Sequence, residues 1–319
     1  MHGGKRRTEN GCSGKDCLEM KILWALVKRN TVLFFKDKGM FFTSLATPII
    51  LLVLYATFLG NVYESSFESV LKAFGFEASE RLLNGCVGGQ LFSSLLSVSC
   101  VTVAFCSNLL MVQDKANGTR SDLTVSPVNR TVLAFSYYIA TAFATLLVSL
   151  AAMAACLIYV AAIGWYMSVA DVLLILLDVI MLVLFGTAFS SIIDIFLSSQ
   201  GQISAVSAII SAGYGFICGA YMPVSEFSEG LKNVLAFFPG IYGMSLLRNH
   251  AMRGPLAELE AEGLAAEGVE IIRDMVDCNI YFMDKAVPTQ VMYAGLLGAI
   301  ALLFAAFILV NAFVKRVKK

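Results

Sequence analysis

The amino-acid sequence predicts an all-α polytopic membrane protein: six transmembrane helices, an N-terminal amphipathic interfacial helix and outer re-entrant helices. Three observations predict it. Of the 319 residues, 58% are hydrophobic and only 14% charged, against about a quarter charged in soluble domains. Long charge-free intervals reach or exceed the roughly 20 apolar residues that cross about 30 Å of hydrocarbon as a helix. The remaining charges segregate between alternate loops. Lys+Arg and Asp+Glu balance at 23 each, which excludes the basic excess of a nucleic-acid binder.

The elements follow in order. Residues 1–17, with Lys5-Arg6-Arg7, lack the apolar core of a signal peptide and read as a disordered cytoplasmic tail. Residues 18–38 read as an amphipathic helix: Leu18, Ile22 and Leu26 recur at helical spacing, and Lys21, Lys28, Arg29, Lys36 and Lys38 supply basic heads. Such a helix before a span is expected in the inner headgroup layer, with plain positive-inside anchoring as the competing reading. The six-span domain covers 39–314. Phe41 to Leu59 carries no charge and forms the first span, and Val87 to Val112 forms the second. The 40 uncharged residues between Arg130 and Asp171 are too many for one helix. Gly164-Trp165-Tyr166 reads as an interfacial turn ending a third span over 131–161. The fourth span runs over 172–197. Ser198 to Gln202 mark a tight turn before a fifth span over 203–222, which Pro223 stops. The sixth covers 288–314 and leads into the basic tail Lys315–Lys319.

Lys/Arg counts orient the chain. Residues 1–40, 113–130 and 315–319 together hold 16 basic residues, whereas 60–86, 162–171 and 223–287 hold 7. The positive-inside rule therefore puts both termini in the cytoplasm of a cell (plasma) membrane protein. Acids run the other way, with six in the first group and fourteen in the loops 60–86 and 223–287.

No catalytic constellation is present in the sequence. Gly11-Cys12-Ser13-Gly14-Lys15-Asp16 lacks the P-loop spacing and ends in Asp, where Ser/Thr must reach Mg²⁺. His2 and His250 cannot build a zinc site by themselves. A membrane enzyme is disfavoured because no His/Asp/Ser set converges. Asp178 is the one acid well inside a span, since Asp171 and Asp194 lie toward its ends. A central Asp costs about 2.5–3.5 kcal/mol to insert, which the surrounding Leu, Ile, Val and Phe residues offset at roughly 0.3–0.6 each. Asp178 reads as a side chain hydrogen-bonded to a neighbouring helix or as a polar contact lining a substrate path. No intramembrane Lys, Arg or His is expected as its partner. Cys86 and Cys278 fall on one predicted side, where an oxidising compartment permits a disulfide that sequence cannot decide. Gly85-x-x-x-Gly89 and Gly215-x-x-x-Gly219 offer close helix approach.

Two loops are informative. The inner loop from Gln113 to Arg130 is short and mixed in charge. Thr119 or Ser121 is placed to cap a short helix that Pro127 ends. The outer segment 223–287 begins at Pro223 and carries Leu231, Val234, Leu235 and Phe238 before Pro239. That pattern suggests a helix dipping into or lying on the outer leaflet. From Pro255 to Lys285 the chain is acidic and reads as one or two exposed helices with a solvated face.

In this order the features resemble the type-2 ABC transporter permeases, the six-span membrane subunits of exporters powered by separate ATPases. The likeness covers about Met20 to Lys315. It rests first on Lys28-Arg29-Asn30 and Phe34 to Lys38 running into a first span with Pro48. It rests next on Asp114, Gly118-Thr119, Leu123, Ser126-Pro127 and Arg130, then on the turn Ser198 to Gln202. Gly219, Pro223, Phe238-Pro239, Tyr242 and Arg248 complete the set. Phe238-Pro239 stands where many relatives have Asn-Pro, and the acidic insert at 255–285 is longer than in minimal members. The resemblance implies that about Asp114–Asn129 carries a coupling helix docking on an ABC ATPase, which about Leu18–Lys36 also contacts. It implies that about Pro223–Arg248 forms re-entrant helices closing the outer end. It also implies a dimer with a second permease, itself or a sister subunit, in the lipid bilayer. ATP and Mg belong to the partner ATPase, and no cofactor is bound directly. Substrate-facing residues would come from spans one, two and five, and the substrate is expected to be amphipathic or lipid-like and moved outward. The alternative is an ion-coupled secondary transporter using Asp178.

Overall fold

The computed structural model describes residues 14–125, 128–283 and 285–317. The N-terminal tail through residue 13, Ser126-Pro127, Asp284 and Lys318-Lys319 lie outside the described residues, so the readings made on them rest on sequence alone. The described helices are α1 (Gly14–Lys36), α2 (Lys38–Leu54), α3 (Gly60–Ala73), α4 (Glu80–Ala116), α5 (Thr119–Val125) and α6 (Arg130–Ile163). They continue as α7 (Val169–Phe196), α8 (Gln200–Ile217), α9 (Glu229–Leu235), α10 (Pro239–Ala261), α11 (Ala266–Met275) and α12 (Thr289–Val317). A two-stranded antiparallel ribbon, β1 (Tyr281–Phe282) and β2 (Lys285–Ala286), precedes α12 and pairs Tyr281 with Ala286.

Helix α4 is the axis. Its most apolar window lies wholly inside the protein, and α2, α6, α7, α8 and α10 all pack on it. The sequence of α4 explains this. Gly85, Gly88, Gly89, Ser93, Ser94, Ser97 and Ser99 give a surface of small side chains that other helices can approach closely. Gly89 shows how close: a Cβ there would sit 3.0 Å from the Ala251 carbonyl oxygen of α10. At Gly85 the ring of Tyr166 fills the space that a side chain would need. Hydroxyls on this helix find acceptors in their own backbone, as Ser93 donates to Gly89 O (3.0 Å), Ser99 to Leu95 O (2.6 Å) and Thr102 to Val98 O (2.9 Å).

Among the described residues, five helices are long and apolar enough to cross a membrane: Lys38–Ala73, Glu80–Ala116, Arg130–Ile163, Val169–Phe196 and Thr289–Asn311. The first of these runs through α2, a π-turn at Tyr55–Leu59 and α3 without interruption, well past the predicted end at 59. The predicted fifth span at 203–222 is shorter in the structure. Helix α8 has 18 residues, about 27 Å of helix, and ends at Ile217. Gly219, at φ +79°, turns the chain back so that Ala220 N donates to Gly215 O at 2.7 Å. Polar caps set the other ends as the sequence suggests. Ser168 and Asp171 form a capping box on α7, and Ser199 and Gln202 form another on α8.

In two regions the structure shows contacts that the sequence did not specify. The predicted amphipathic stripe of the N-terminal helix was Leu18, Ile22 and Leu26. In α1 it is Leu26, Val27, Asn30 and Phe34 that are buried, while Leu18 is 59% exposed and Ile22 half-buried. The reason is tertiary: α1 lies along α6, and the later turns of α1 make that contact. The outer segment also differs. It holds a 3₁₀ turn (Val224–Glu226), the short α9, and then α10, a helix of 23 residues that runs past Arg248 to Ala261 and packs on α4, α7 and α12. Pro239 sits at its first position, where a missing N–H costs nothing. Only α11 and the ribbon form the separate outer lobe, and α11 packs against α3.

The crossing of α10 over the α6–α7 connection tolerates no side chain at Gly254, where a Cβ would overlap the Tyr166 carbonyl. Gly254→Val is expected to destabilise the fold by about 1–3 kcal/mol through overpacking. A lowered thermal unfolding midpoint in detergent, relative to the neighbouring exposed-site change Arg253→Gln, checks it.

Candidate functional site

At the end of α4, Asn117 caps the helix and Gly118 reverses the chain at φ +81°. A glycine suits that left-handed position because no Cβ is in the way. Ser121 N then donates to Gly118 O at 2.8 Å and opens α5. This short helix stands between α4 and α6. Leu123 faces inward and packs against the cluster containing Leu26, Phe34 and Val112, whereas Val125 is 86% exposed. Thr119 is half-buried at the start of α5, and Arg130 is exposed at the start of α6. Pro127 lies outside the described residues.

Asp114 is not on the surface of this loop. It lies on the last turns of α4, buried, and accepts from Arg29 Nη1 (2.8 Å) and Nη2 (3.3 Å) of α1 and from Tyr137 OH (2.5 Å) of α6. Arg29 also donates to Asn30 Oδ1 at 2.9 Å, and Asn30 Nδ2 donates to Ser136 Oγ at 3.4 Å. The hydrogen bond from Arg29 to Asp114 raises the pKa of the guanidinium above its ordinary value. Next to Asp114, Lys115 Nζ donates to Ile195 O (3.1 Å) and Leu197 O (2.6 Å) at the C-terminus of α7, where a cation also meets the negative end of the helix dipole. The two residues before the loop therefore tie it to α1, α6 and α7.

A second polar cluster lies inside the bundle. Asp178 of α7 is fully buried, with His250 Nδ1 of α10 at 2.6 Å from Oδ2 and Tyr293 OH of α12 donating to Oδ1 at 2.7 Å. This corrects the expectation that Asp178 has no intramembrane His, Lys or Arg partner. The partner lies on α10, just past the segment that the sequence read as dipping into or lying on the outer leaflet. Nearer the start of α7, Arg253 Nη1 lies 3.5 Å from Asp171 Oδ1 across the same α7–α10 seam. Asp194 is wholly buried.

The third cluster joins α10 to the segment after α11. Arg248 is 0% exposed and donates from Nη1 to Asp277 Oδ2 (2.9 Å), and from Nη2 to Gly219 O and Ser94 Oγ. Asp277 also accepts from Val224 N (2.6 Å) and Ser225 N (3.0 Å). Its backbone sits at φ +54°, a region that Asp visits more readily than most residues. Burial pushes the Asp277 carboxyl above the ordinary carboxylate range, and Arg248 together with the two amides pulls it back. Ser245 Oγ and Asn249 Nδ2 both donate to Cys278 O, so three side chains of α10 hold the start of the ribbon segment. Asp277 thus departs from the reading of 255–285 as a wholly solvated acidic face. Pro223 precedes the 3₁₀ turn. Phe238 stacks edge-on with Phe185, Phe189 and Tyr214, Pro239 starts α10, and Tyr242 OH donates to Ala236 O at 2.6 Å. Cys86 and Cys278 are buried free thiols, and burial pushes the Cys278 thiol up to about 12. No group of three or more His, Cys, Asp or Glu side chains that could hold a metal ion occurs among the described residues.

A family model described as ABC-2 type transporter matches residues 21–251. The chain belongs to this family. As an ABC-2 permease it is the membrane subunit of a transport system and is not itself catalytic. No curated protein matches the chain. The match begins in α1 and ends at Ala251, so Arg248, His250 and Asp178 of the permease lie inside it, while Asp277, the partner of Arg248, and Tyr293, which donates to Asp178, lie beyond it.

The sequence missed Arg29, Tyr137, His250, Asp277 and Tyr293 as site residues. For His250 a signal existed: Arg248 and His250 occur in a stretch free of acids between Pro239 and Pro255. Replacing Asp178 by Ala in the permease leaves His250 and Tyr293 without their acceptor and is expected to cost about 1–3 kcal/mol of stability, with Asp178→Asn milder. Thermal unfolding in nanodiscs ranks the two. For the inner clamp, a double-mutant cycle of Arg29→Ala and Asp114→Ala is expected to give a coupling of about 0.5–3 kcal/mol, read from the same melts.

Proposed function

We propose that this ABC-2 permease is the membrane subunit of an ATP-driven exporter that works as a permease dimer and takes its motive force from separate ATPase subunits. ATP and Mg are held by those partners. The observation that carries the reading is α5, a short helix at one end of the bundle with an exposed apolar tip at Val125 and its neighbours bonded to α1, α6 and α7. A helix mounted this way transmits a push to several spans at once, because the ion pair and carbonyl bonds beside it resist independent movement. In this reading α5 is the coupling helix, α1 lies at the inner headgroup layer, and α8 serves as the fifth of six spans. The turn at Gly219, α9 and the start of α10 form the re-entrant outer closure. Both termini are then cytoplasmic in the plasma membrane, which the Lys/Arg asymmetry supports. An amphipathic or lipid-like substrate moved outward fits the apolar walls of α2, α4 and α8.

The Asp178–His250–Tyr293 cluster favours one other reading, an ion-coupled transporter in which this cluster carries the proton. Two experiments separate them. Purification in mild detergent should bring an ABC ATPase with the chain. In the reconstituted complex, Val125→Asp or a Gly/Ser replacement of residues 118–125 should abolish the permease's effect on ATP hydrolysis while membrane insertion stays intact. Unchanged hydrolysis in both variants would falsify the coupling role. Asp178→Asn should leave ATP-driven transport largely intact, whereas loss of a proton-driven flux would promote the second reading.

A further inference from the structure

Buried polar atoms crowd one place where the first spanning helix meets α4 and α10. Tyr55 and Tyr63 stand eight residues apart, which in a plain α-helix would turn them about 80° from each other. The π-turn at Tyr55–Leu59 lies between them and unwinds the helix. Both rings therefore reach the same face, stacked at 5.7 Å with their planes 10° apart, and both are buried. Facing them, Gln90 and Ser94 sit one turn apart on α4, wholly buried. Arg248, equally buried, arrives from α10. Few of these groups are matched. Tyr55 OH and Ser94 Oγ are 3.4 Å apart, and Arg248 Nη2 donates to Ser94 Oγ at 3.4 Å, both long for hydrogen bonds. Gln90 lies beside the Tyr63 hydroxyl but outside hydrogen-bond geometry. Four atoms here, Tyr63 OH, Gln90 Nε2, Gln90 Oε1 and Arg248 Nε, have no hydrogen-bond partner among the described residues.

Inside hydrocarbon these atoms cannot turn to bulk solvent, and a buried polar atom left alone bears the full loss of its hydration. Their chemistry selects the partner. Three of the four can donate and one accepts, so the partner must do both. An anion does not fit, because Arg248 is already paired with Asp277 at 2.9 Å and the added charge would be buried without compensation. A metal cation does not fit either. The nearest carboxylate, Asp277, is taken by Arg248 and two backbone amides, and the cation would meet the guanidinium. A neutral donor and acceptor remains, and water is the smallest. A buried water makes about three hydrogen bonds, so four atoms take one or two waters. We propose that one or two internal waters are held between Tyr55, Tyr63, Gln90 and Arg248. These waters, more than direct contacts, join the first spanning helix to the Arg248–Asp277 pair. The site stands whether or not the chain is an exporter.

The test is X-ray radiolytic footprinting of the full chain in nanodiscs, with modified residues mapped by mass spectrometry. The pulse makes hydroxyl radicals from water where it stands, so a ring beside a held water is modified even when buried. Tyr55 and Tyr63 are expected to react several-fold faster than Phe92 and Phe105, which are as buried. Combining Tyr63→Phe with Gln90→Leu removes the partners, and modification of Tyr55 should fall to the level of Phe105. The conservative Tyr63→Phe alone should lower it in part. Gln90→Leu should also lower the thermal unfolding midpoint, because the bridge to Arg248 is lost with the carboxamide. In a dry site the same change removes two unpartnered atoms and raises the midpoint. Monodisperse elution and an unchanged helical signal show that each variant is folded. A raised midpoint overturns the proposal, as does modification of Tyr55 and Tyr63 no faster than that of Phe92. Equal modification of every buried ring, or a co-purifying organic molecule lost in the double variant, overturns it as well.

Discussion

Helix α4 passes through the protein with its apolar window enclosed on all sides, and the rest of the bundle is arranged by that enclosure. In hydrocarbon there is no water to satisfy a polar group, so each must find a partner inside the protein. Glycines and serines on α4 make the approach of five helices sterically cheap, and the hydroxyls of Ser93, Ser99 and Thr102 turn back on their own carbonyls. Charged groups cannot do that. They gather instead where α4 ends or where neighbouring helices meet: Asp114 with Arg29 at one end, and Ser94 beside Arg248 and Asp277 toward the other.

This placement links the two ends mechanically. Toward α5, the carboxylate of Asp114 is shared by α1 and α6, and the ammonium of Lys115 holds the end of α7. Midway, Asp178 joins α7 to α10 and α12. Beyond it, α10 carries Ser245, Arg248 and Asn249 to the segment around Cys278. Each link is directional, because hydrogen-bonded charges in a low-dielectric interior weaken steeply when displaced. These bonds join α1, α6, α7, α10 and α12 into one connected set of helices.

Much of the fold was legible before any coordinate. Charge-free length marked the long helices, and Gly164 and the turn Ser198 to Gln202 marked ends through backbone needs that are local to a few residues. The short helix α5 between α4 and α6 was legible for the same reason, since the run from Thr119 carries its own capping residues. The stripe Leu18, Ile22 and Leu26 of α1 did not by itself show which of its turns meet α6. Helix α10 was misjudged because its composition is mixed. Arg248 and His250 look like surface residues until their partners, Asp277 and Asp178, are brought from 29 and 72 residues away.

What the sequence determined by itself was the class of molecule, its long helices and the uneven distribution of Lys and Arg among its loops. Each follows from short-range properties: hydrophobic length, capping and the cost of moving Lys or Arg across a bilayer. Only the tertiary structure decided which polar groups meet. Pairing inside a membrane depends on how helices separated by many residues rotate against one another, and small residues such as Gly89 and Gly254 permit the contacts without naming the partner.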